Sequence, residues 1–183
     1  MKELEYPFDP AYIIQKKKSL KKALLADGTP RMEKKIAVFG GSTTSDIVKV
    51  LELFLLNMGI APVFYESEYA QYFQDAMFPS EELLAFQPDL VFIHTTNRNV
   101  TAYPEITDSP AQIDEKLQSQ LEKFQTIWAS IGEKFHCPII QNNFEMPLYR
   151  LLGNRDCYDV HGRRNFLSRL NQGFYAYAQT HES

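Results

Sequence analysis

The hydrophobic positions along the chain follow two different periods, which alternate from residue 36 onward. Short apolar runs beside glycine or proline are typical of buried strands. Longer segments with apolar residues three or four positions apart are typical of amphipathic helices, and Pro79 divides one of these segments. The pattern predicts strands at 36–39, 61–65, 89–94 and 138–141, and helices at 45–58, 69–86, 111–135 and 163–179.

This alternation predicts an α/β fold with three layers, α/β/α, around a mostly parallel sheet. Residues 1–34 precede the alternation and contain one further helix, which ends at Asp27-Gly28. We therefore predict a helical N-terminal appendage over residues 1–34 and one α/β domain over residues 35–183. The lysines of the first helix form either an anion-binding patch or, as the acidic remainder of the chain favours, a solvated face of a docking helix.

Charge and composition narrow the classes of function. The 183 residues carry 23 acidic and 19 basic side chains, and this formal net charge of −4 argues against a surface built for nucleic acid or anionic lipid. No apolar run reaches the roughly 20 residues of a membrane span, and the first residues contain no apolar signal core. The two cysteines predict neither a disulfide framework nor a metal site. We therefore expect a cytoplasmic chain, and nothing in the sequence predicts a cofactor.

Polar side chains, most of them uncharged, crowd the ends of the predicted strands. Ligands of open parallel sheets bind outside the carboxyl ends of the strands, so these ends predict a binding site. Asn97, after the third strand, is a candidate donor to a developing oxyanion or, alternatively, the first residue of a turn. We expect substrate contacts from Gly41, Thr43, Thr44, Glu66, Thr96, Asn142 and Asn143.

The segment Gly40-Gly41-Ser42-Thr43-Thr44 lies between the first strand and a helix, and three interpretations of it compete. Ser42 is a nucleophile whose own amide contributes to an oxyanion hole. Alternatively, the loop is a phosphate cradle, or its hydroxyls cap the helix, which is the commonest use of such residues. The loop is not a Walker A sequence, because no lysine follows the glycines, and it does not match G-x-G-x-x-G.

The four histidines are candidate general bases, and none of them belongs to a D-x-x-H motif. His94 ends an apolar strand and is expected to be a hydrogen-bonded histidine near the core. His136 has no carboxylate close in sequence, and His181 lies near the terminus. His161 is placed in a long loop between the fourth strand and the last helix, so we expect it alone to reach over the strand ends.

Several segments together resemble the N-terminal region of the FkbH-like family. They are Gly40–Thr44, Tyr65-Glu66, Phe86–Asp89 and Gln141–Pro147, and the resemblance extends over essentially the whole chain. It implies an SGNH-hydrolase-like, flavodoxin-like fold. It also implies a following phosphatase-like domain of the haloacid dehalogenase superfamily, subfamily IIIC, which transfers a glyceryl unit to an acyl carrier protein.

Carried over to this sequence, the resemblance places Ser42 at the nucleophile position and Asn97 at the oxyanion-hole position. Gly41 stands where esterases of this fold have Asp, and Thr95 and Arg98 replace the Gly and Asp that flank the family's Asn. The fold would continue beyond the last helix with a strand and a D-x-x-H block, so we predict a domain that is incomplete at its C-terminus. Without a histidine base, serine hydrolysis is expected to fall by roughly 10³- to 10⁶-fold.

Three functions remain open at this point. The first is an accessory domain that binds a substrate or a carrier protein at the strand ends beside a phosphatase-like domain of the same polypeptide. The second is an active SGNH-type serine esterase or acyltransferase, with Ser42 as nucleophile, Asn97 in the oxyanion hole, and His161 or a partner supplying the base. The third is a structural docking module in which the lysine-bearing helix packs on another domain.

Overall fold

The computed structural model of the chain describes residues 1–181 and consists of four strands and their flanking helices. Each predicted strand and helix is present, and the segment 69–86 forms two helices on either side of Pro79. The strands are β1 (Met32–Gly40), β2 (Ile60–Glu66), β3 (Leu90–His94) and β4 (Ile139–Gln141). The helices are α1 (Pro10–Ala26), α2 (Ser45–Asn57), α3 (Tyr72–Met77), α4 (Glu81–Phe86), α5 (Pro110–Phe135) and α6 (Arg163–Thr180).

The four strands form one parallel sheet in the order β2-β1-β3-β4. This topology confirms the predicted three-layer α/β/α fold. In the register of the two central strands, Ile36 lies opposite Leu90 and Gly40 opposite His94. The ends of β1 and β3 are therefore level with each other, and the loops that leave them begin side by side.

Two apolar clusters hold the layers together. The larger one joins one face of the sheet, through residues such as Phe39 and Ile93, to α3, α5 and α6. The smaller one joins α2, through Leu53 and Leu56, to the N-terminal segment. Its other buried members are Leu4, Ile13, Leu20 and Leu24.

Helix α1 packs against α2 of the same chain, so its apolar face is covered within this molecule. Two of its lysines form ion pairs with α2: Lys17 lies 2.8 Å from Asp46, and Lys21 lies 2.7 Å from Glu52. Part of the lysine face is therefore neutralised internally, and the choice between an anion-binding patch and a solvated face stays open. The division into an appendage and a domain at residue 35 stays a prediction.

Local sequence signals explain several helix ends. Ser109 and Gln112 form a reciprocal capping box at the start of α5, and Pro110 occupies the first turn. Ser80 caps α4 through its hydroxyl, which accepts the Leu83 N–H at 3.1 Å. No helix within residues 1–181 is long and apolar enough to cross a membrane.

Candidate functional site

The loop that leaves β1 is attached to the end of β3 and to β2. The Gly41 N–H donates to the His94 carbonyl at 2.8 Å. Thr44 is buried, and its hydroxyl donates to Glu66 Oε1 at 2.8 Å. The same hydroxyl accepts no N–H from the first turn of α2, which has no side-chain cap among the described residues. The helix-cap interpretation of this loop is therefore wrong for Thr44.

Asn99, which the sequence analysis missed, contacts this loop more closely than any residue predicted from β3. Its Nδ2 donates to the Gly41 carbonyl at 2.8 Å, and its Oδ1 accepts the Thr96 N–H at 2.8 Å. A β-carbon at Gly41 would lie 2.5 Å from Asn99 Oδ1, so only glycine allows this close approach. The signal in the sequence was a second asparagine two positions after Asn97.

The bond from Asn99 fixes the orientation of the peptide between Gly41 and Ser42. This peptide is trans, so its N–H points away from its carbonyl and hence away from Asn99. Neither the N–H nor the hydroxyl of Ser42 has a hydrogen-bond partner among residues 1–181, and the side chain is half-buried. Ser42 thus presents an amide and a hydroxyl next to the positive, uncapped end of α2.

Asn97 is placed differently from the predicted oxyanion donor. Its backbone N–H donates to Glu145 Oε2 at 3.1 Å, and its side-chain Nδ2 lies 3.5 Å from the Glu145 carbonyl. Tyr103 donates its hydroxyl to the Asn97 carbonyl at 2.7 Å. These contacts hold Asn97 against the loop after β4, and it makes no hydrogen bond to Gly41 or Ser42 in the described chain. Its role as an oxyanion donor stays a prediction.

The amides predicted to contact substrate after β4 are occupied by internal bonds. Asn142 accepts the Thr95 N–H through Oδ1 and donates to the Thr95 carbonyl through Nδ2, both at 2.8 Å. The side chain of Asn142 therefore acts like a peptide group and extends the pairing of β3 with β4. Gln141 adds a bond to the Thr95 hydroxyl at 3.0 Å, and Asn143 donates to the Tyr175 hydroxyl at 2.6 Å.

Of the other residues predicted to bind substrate, Thr96 also has an internal partner. Its hydroxyl accepts the Arg98 N–H at 3.3 Å and caps the short 3₁₀ turn Asn97–Asn99. Thr43 is exposed, and Glu66 is exposed but holds Thr44. The structure therefore brings Gly41, Ser42 and Thr43 together with the start of α2. The other predicted residues have internal hydrogen bonds, and their contacts with substrate stay a prediction.

The structure corrects the expectation that His94 is a hydrogen-bonded histidine. Its Nδ1 is enclosed and has no hydrogen-bond partner among the described residues. Burial lowers the pKa of His94 below its ordinary value, although the carboxylate of Glu145 acts in the opposite direction. The imidazole is therefore neutral near pH 7 and retains a basic nitrogen.

His161 is anchored to the start of α5 and does not hydrogen-bond to the Ser42 loop. Its Nδ1 lies 2.8 Å from Asp159 Oδ1, and its Nε2 lies 3.0 Å from the Asp108 carbonyl. Both partners are acceptors, which favours the doubly protonated imidazolium. The Asp159 carboxylate accordingly raises the pKa of His161. Both ring nitrogens of His161 therefore already have partners, and its role as a base stays a prediction.

A concave region lies at the outer edge of β4, away from β3. This cleft of about 890 Å³ lies between α5, β4 and α6 and is lined by aromatic side chains, among them Trp128, Phe174 and Tyr177. Within residues 1–181, no group of three or more His, Cys, Asp and Glu residues is arranged to hold a metal ion.

Comparison with solved structures finds a similar chain in the crystal structure of the N-terminal part of the protein BF1531 from Bacteroides fragilis, which contains a phosphatase domain and is complexed with Mg. The TM-score is 0.71 at 18% sequence identity, and the match covers 90% of this chain and 42% of that chain. The likeness establishes the fold, and this chain spans about two fifths of the length of the structure it matches. No family model and no curated protein matches the chain.

Proposed function

We propose that this chain is an SGNH-like accessory domain of an FkbH-like protein and acts beside a phosphatase-like domain. In this proposal it binds the carrier-bound three-carbon acyl unit, or the substrate that supplies it, during glyceryl transfer to an acyl carrier protein. The sequence segments that resemble the FkbH-like family support this assignment. So does the likeness of fold to the N-terminal part of a phosphatase-domain protein.

The observation that carries the proposal is the unbonded amide and hydroxyl of Ser42 beside the uncapped start of α2. A carbonyl or carboxylate oxygen placed there would accept a hydrogen bond from the Ser42 N–H and lie at the positive end of the helix dipole. Glyceryl esters and thioesters carry such an oxygen. The surrounding strand ends are already hydrogen-bonded, so little rearrangement would be needed for binding.

Calorimetric titration of glyceryl-loaded acyl carrier protein into the chain tests this proposal. Gly41→Ala would press a methyl group against Asn99 and turn the Gly41–Ser42 peptide, so we expect at least tenfold weaker binding. Gly132→Ala is the matched control, because a β-carbon there meets no atom within 4 Å. Absence of binding to the unmodified chain, or equal binding by both variants, would contradict the proposal.

A second candidate is a serine esterase or acyltransferase with Ser42 as nucleophile. The specific observation in its favour is that a neutral histidine, His94, ends the strand next to the Ser42 loop. Modification of the chain by a fluorophosphonate, located by peptide mass spectrometry, tests this activity, with Ser42→Ala as the control. Labelling of the chain at residues other than Ser42 would count against it.

A further inference from the structure

His94 and the start of α2 belong to the same side of the sheet. Side chains alternate along β3, and Val91 and Ile93 are fully buried in the cluster beneath α5. His94 and Phe92 therefore face the opposite side, where their rings lie 6.0 Å apart at their centres in an edge-on arrangement. The turn through Ser42 leads from β1 to α2. The β1-to-β2 and β2-to-β3 crossovers run in opposite directions along the sheet, so right-handed crossovers place α2 on the side opposite α3.

The register of the sheet brings the backbone of Ser42 close to the backbone of His94. Gly40 is the partner of His94 in the β1–β3 pair, and the Gly41 N–H is bonded to the His94 carbonyl at 2.8 Å. Ser42 is the next residue, so standard backbone dimensions place its Cα within about 8 Å of that carbonyl. A serine hydroxyl and a histidine ring can meet across such a separation by side-chain rotation. Hydrogen bonds between catalytic groups often form fully only when substrate binds, so their absence in an unliganded site does not exclude the pair.

The chemical state of His94 suits the acceptance of a proton. Its Nδ1 has no hydrogen-bond partner among the described residues, so this nitrogen is not already committed to another group. The charged group that bears on the ring is Glu145, whose carboxylate stabilises the imidazolium once it forms. His161, the other histidine near the strand ends, is held at both ring nitrogens.

We propose that His94 is the general base for Ser42, which makes the site independent of a D-x-x-H block. This inference rests on the second candidate function, in which Ser42 is the nucleophile. The Ser42 hydroxyl proton passes to an imidazole nitrogen while Oγ bonds to the acyl carbon of an ester. The bond from that carbon to the alkoxy oxygen then breaks, and the imidazolium returns the proton to the departing alcohol.

The rate of fluorophosphonate labelling of Ser42 tests the inference directly. In this reaction Oγ bonds to phosphorus, fluoride leaves, and His94 takes the proton. We expect His94→Asn to lower the labelling rate by about 100-fold, within the range of general-base effects. The matched control is His136→Asn, an exposed histidine at φ 50°, a conformation that asparagine adopts readily. We expect the control to label at the rate of the unmodified chain.

Two further measurements separate proton transfer from structural damage. In the unmodified chain, the labelling rate should rise with pH through a midpoint below 6.5, because the reactive form is the neutral imidazole. In His94→Ala, added imidazole should restore labelling at Ser42, whereas it cannot repair a misfolded chain.

The outcomes distinguish this inference from the proposals on which it stands. Equal labelling of Ser42 with and without His94 would overturn the role of His94 and leave Ser42 as the nucleophile. Failure to label Ser42 in the unmodified chain would overturn both. Binding of a glyceryl-loaded carrier, measured by calorimetry, is independent of either result.

Discussion

The ends of β1 and β4 are both rich in polar side chains, yet they use them in opposite ways. After β4, Asn142 gives both ends of its amide to the backbone of Thr95, and Asn143 is bonded to Tyr175. After β1, Ser42 has neither its amide nor its hydroxyl bonded within the described chain. Several amide side chains at the end of a strand therefore do not by themselves indicate a binding site. The groups left without protein partners are more informative, because they remain available to bond a ligand.

Among the variants that test this comparison, substitution of Asn142 is expected to cause the largest loss of stability. Asn142→Ala removes the partners of the N–H and the carbonyl of Thr95, which is fully buried. We expect the free energy of unfolding to fall by about 2–4 kcal/mol, since each buried group left unpaired costs about 1–3 kcal/mol. Urea denaturation followed by circular dichroism measures it. Asn143→Ala, at an exposed position with one bond to Tyr175, is the control and should cost less than about 1 kcal/mol.

A loss of stability in Asn142→Ala no greater than in Asn143→Ala would break the comparison, because it would mean that Asn142 is not a structural clamp. The same variants should bind a glyceryl-loaded carrier as the unmodified chain does, once the folded fraction is taken into account. Weaker binding of the carrier at an equal folded fraction would instead indicate that Asn142 contacts the substrate.

Substitution of Asn99 is expected to lower stability less than substitution of Asn142, but to reduce Ser42 labelling and carrier binding more. Asn99→Ala removes the bonds to the Gly41 carbonyl and to the Thr96 N–H, both partly buried, and should cost about 1 kcal/mol in unfolding free energy. The Gly41–Ser42 peptide would then be able to rotate, so fluorophosphonate labelling of Ser42 and carrier binding should each fall at least tenfold. Asn97→Ala is the matched variant.

The Asn97 side chain makes one long contact of 3.5 Å, so its removal should change stability by less than about 0.5 kcal/mol. A larger loss of labelling in Asn97→Ala than in Asn99→Ala would restore Asn97 as the oxyanion donor and assign Asn99 a structural role alone.

The helices and strands were predictable because several residues in each one indicate the same secondary structure. Helix α5 combines a capping box and Pro110 with apolar residues such as Phe124 and Ile127 at helical spacing. The four strands are short apolar runs bounded by glycine, proline or polar residues. Errors at the ends were one to three residues, except that β1 begins at Met32, four residues before its apolar run. Lysines at 34 and 35 occupy that first part of the strand and hide it from a hydrophobic pattern.

The site was less predictable because its geometry depends on single contacts between distant segments. Asn97 and Asn99 lie in the same 3₁₀ turn, and only the direction of that turn decides which amide reaches Gly41. His94 has the same neighbours in sequence as a core histidine would have. Whether its enclosed Nδ1 finds a hydrogen-bond partner depends on segments that are distant in sequence, which no local pattern reveals.

The smallest effect, a dependence of stability on pH, is expected from His161, which joins the loop after β4 to the start of α5. Its ring faces Asp159 and the Asp108 carbonyl, while Arg155 pairs with Asp159 and Lys116 with Asp108. The Asp159 bond raises the pKa of His161, so the folded chain binds this proton more tightly than the unfolded chain. The stabilisation is complete below the unfolded pKa of about 6.5 and is lost as pH rises through the higher folded pKa.

Urea midpoints of the unmodified chain should therefore fall between pH 6 and pH 8, and His161→Gln should show a smaller fall over the same range. His136→Gln serves as the control, because His136 is exposed and lies outside this cluster. A slope in His161→Gln equal to that of the unmodified chain would show that the imidazolium does not hold the two loops together. Ser42 labelling should be unchanged in His161→Gln, since the ring makes no contact with the Ser42 loop. Loss of labelling there would instead return His161 to the position of catalytic base.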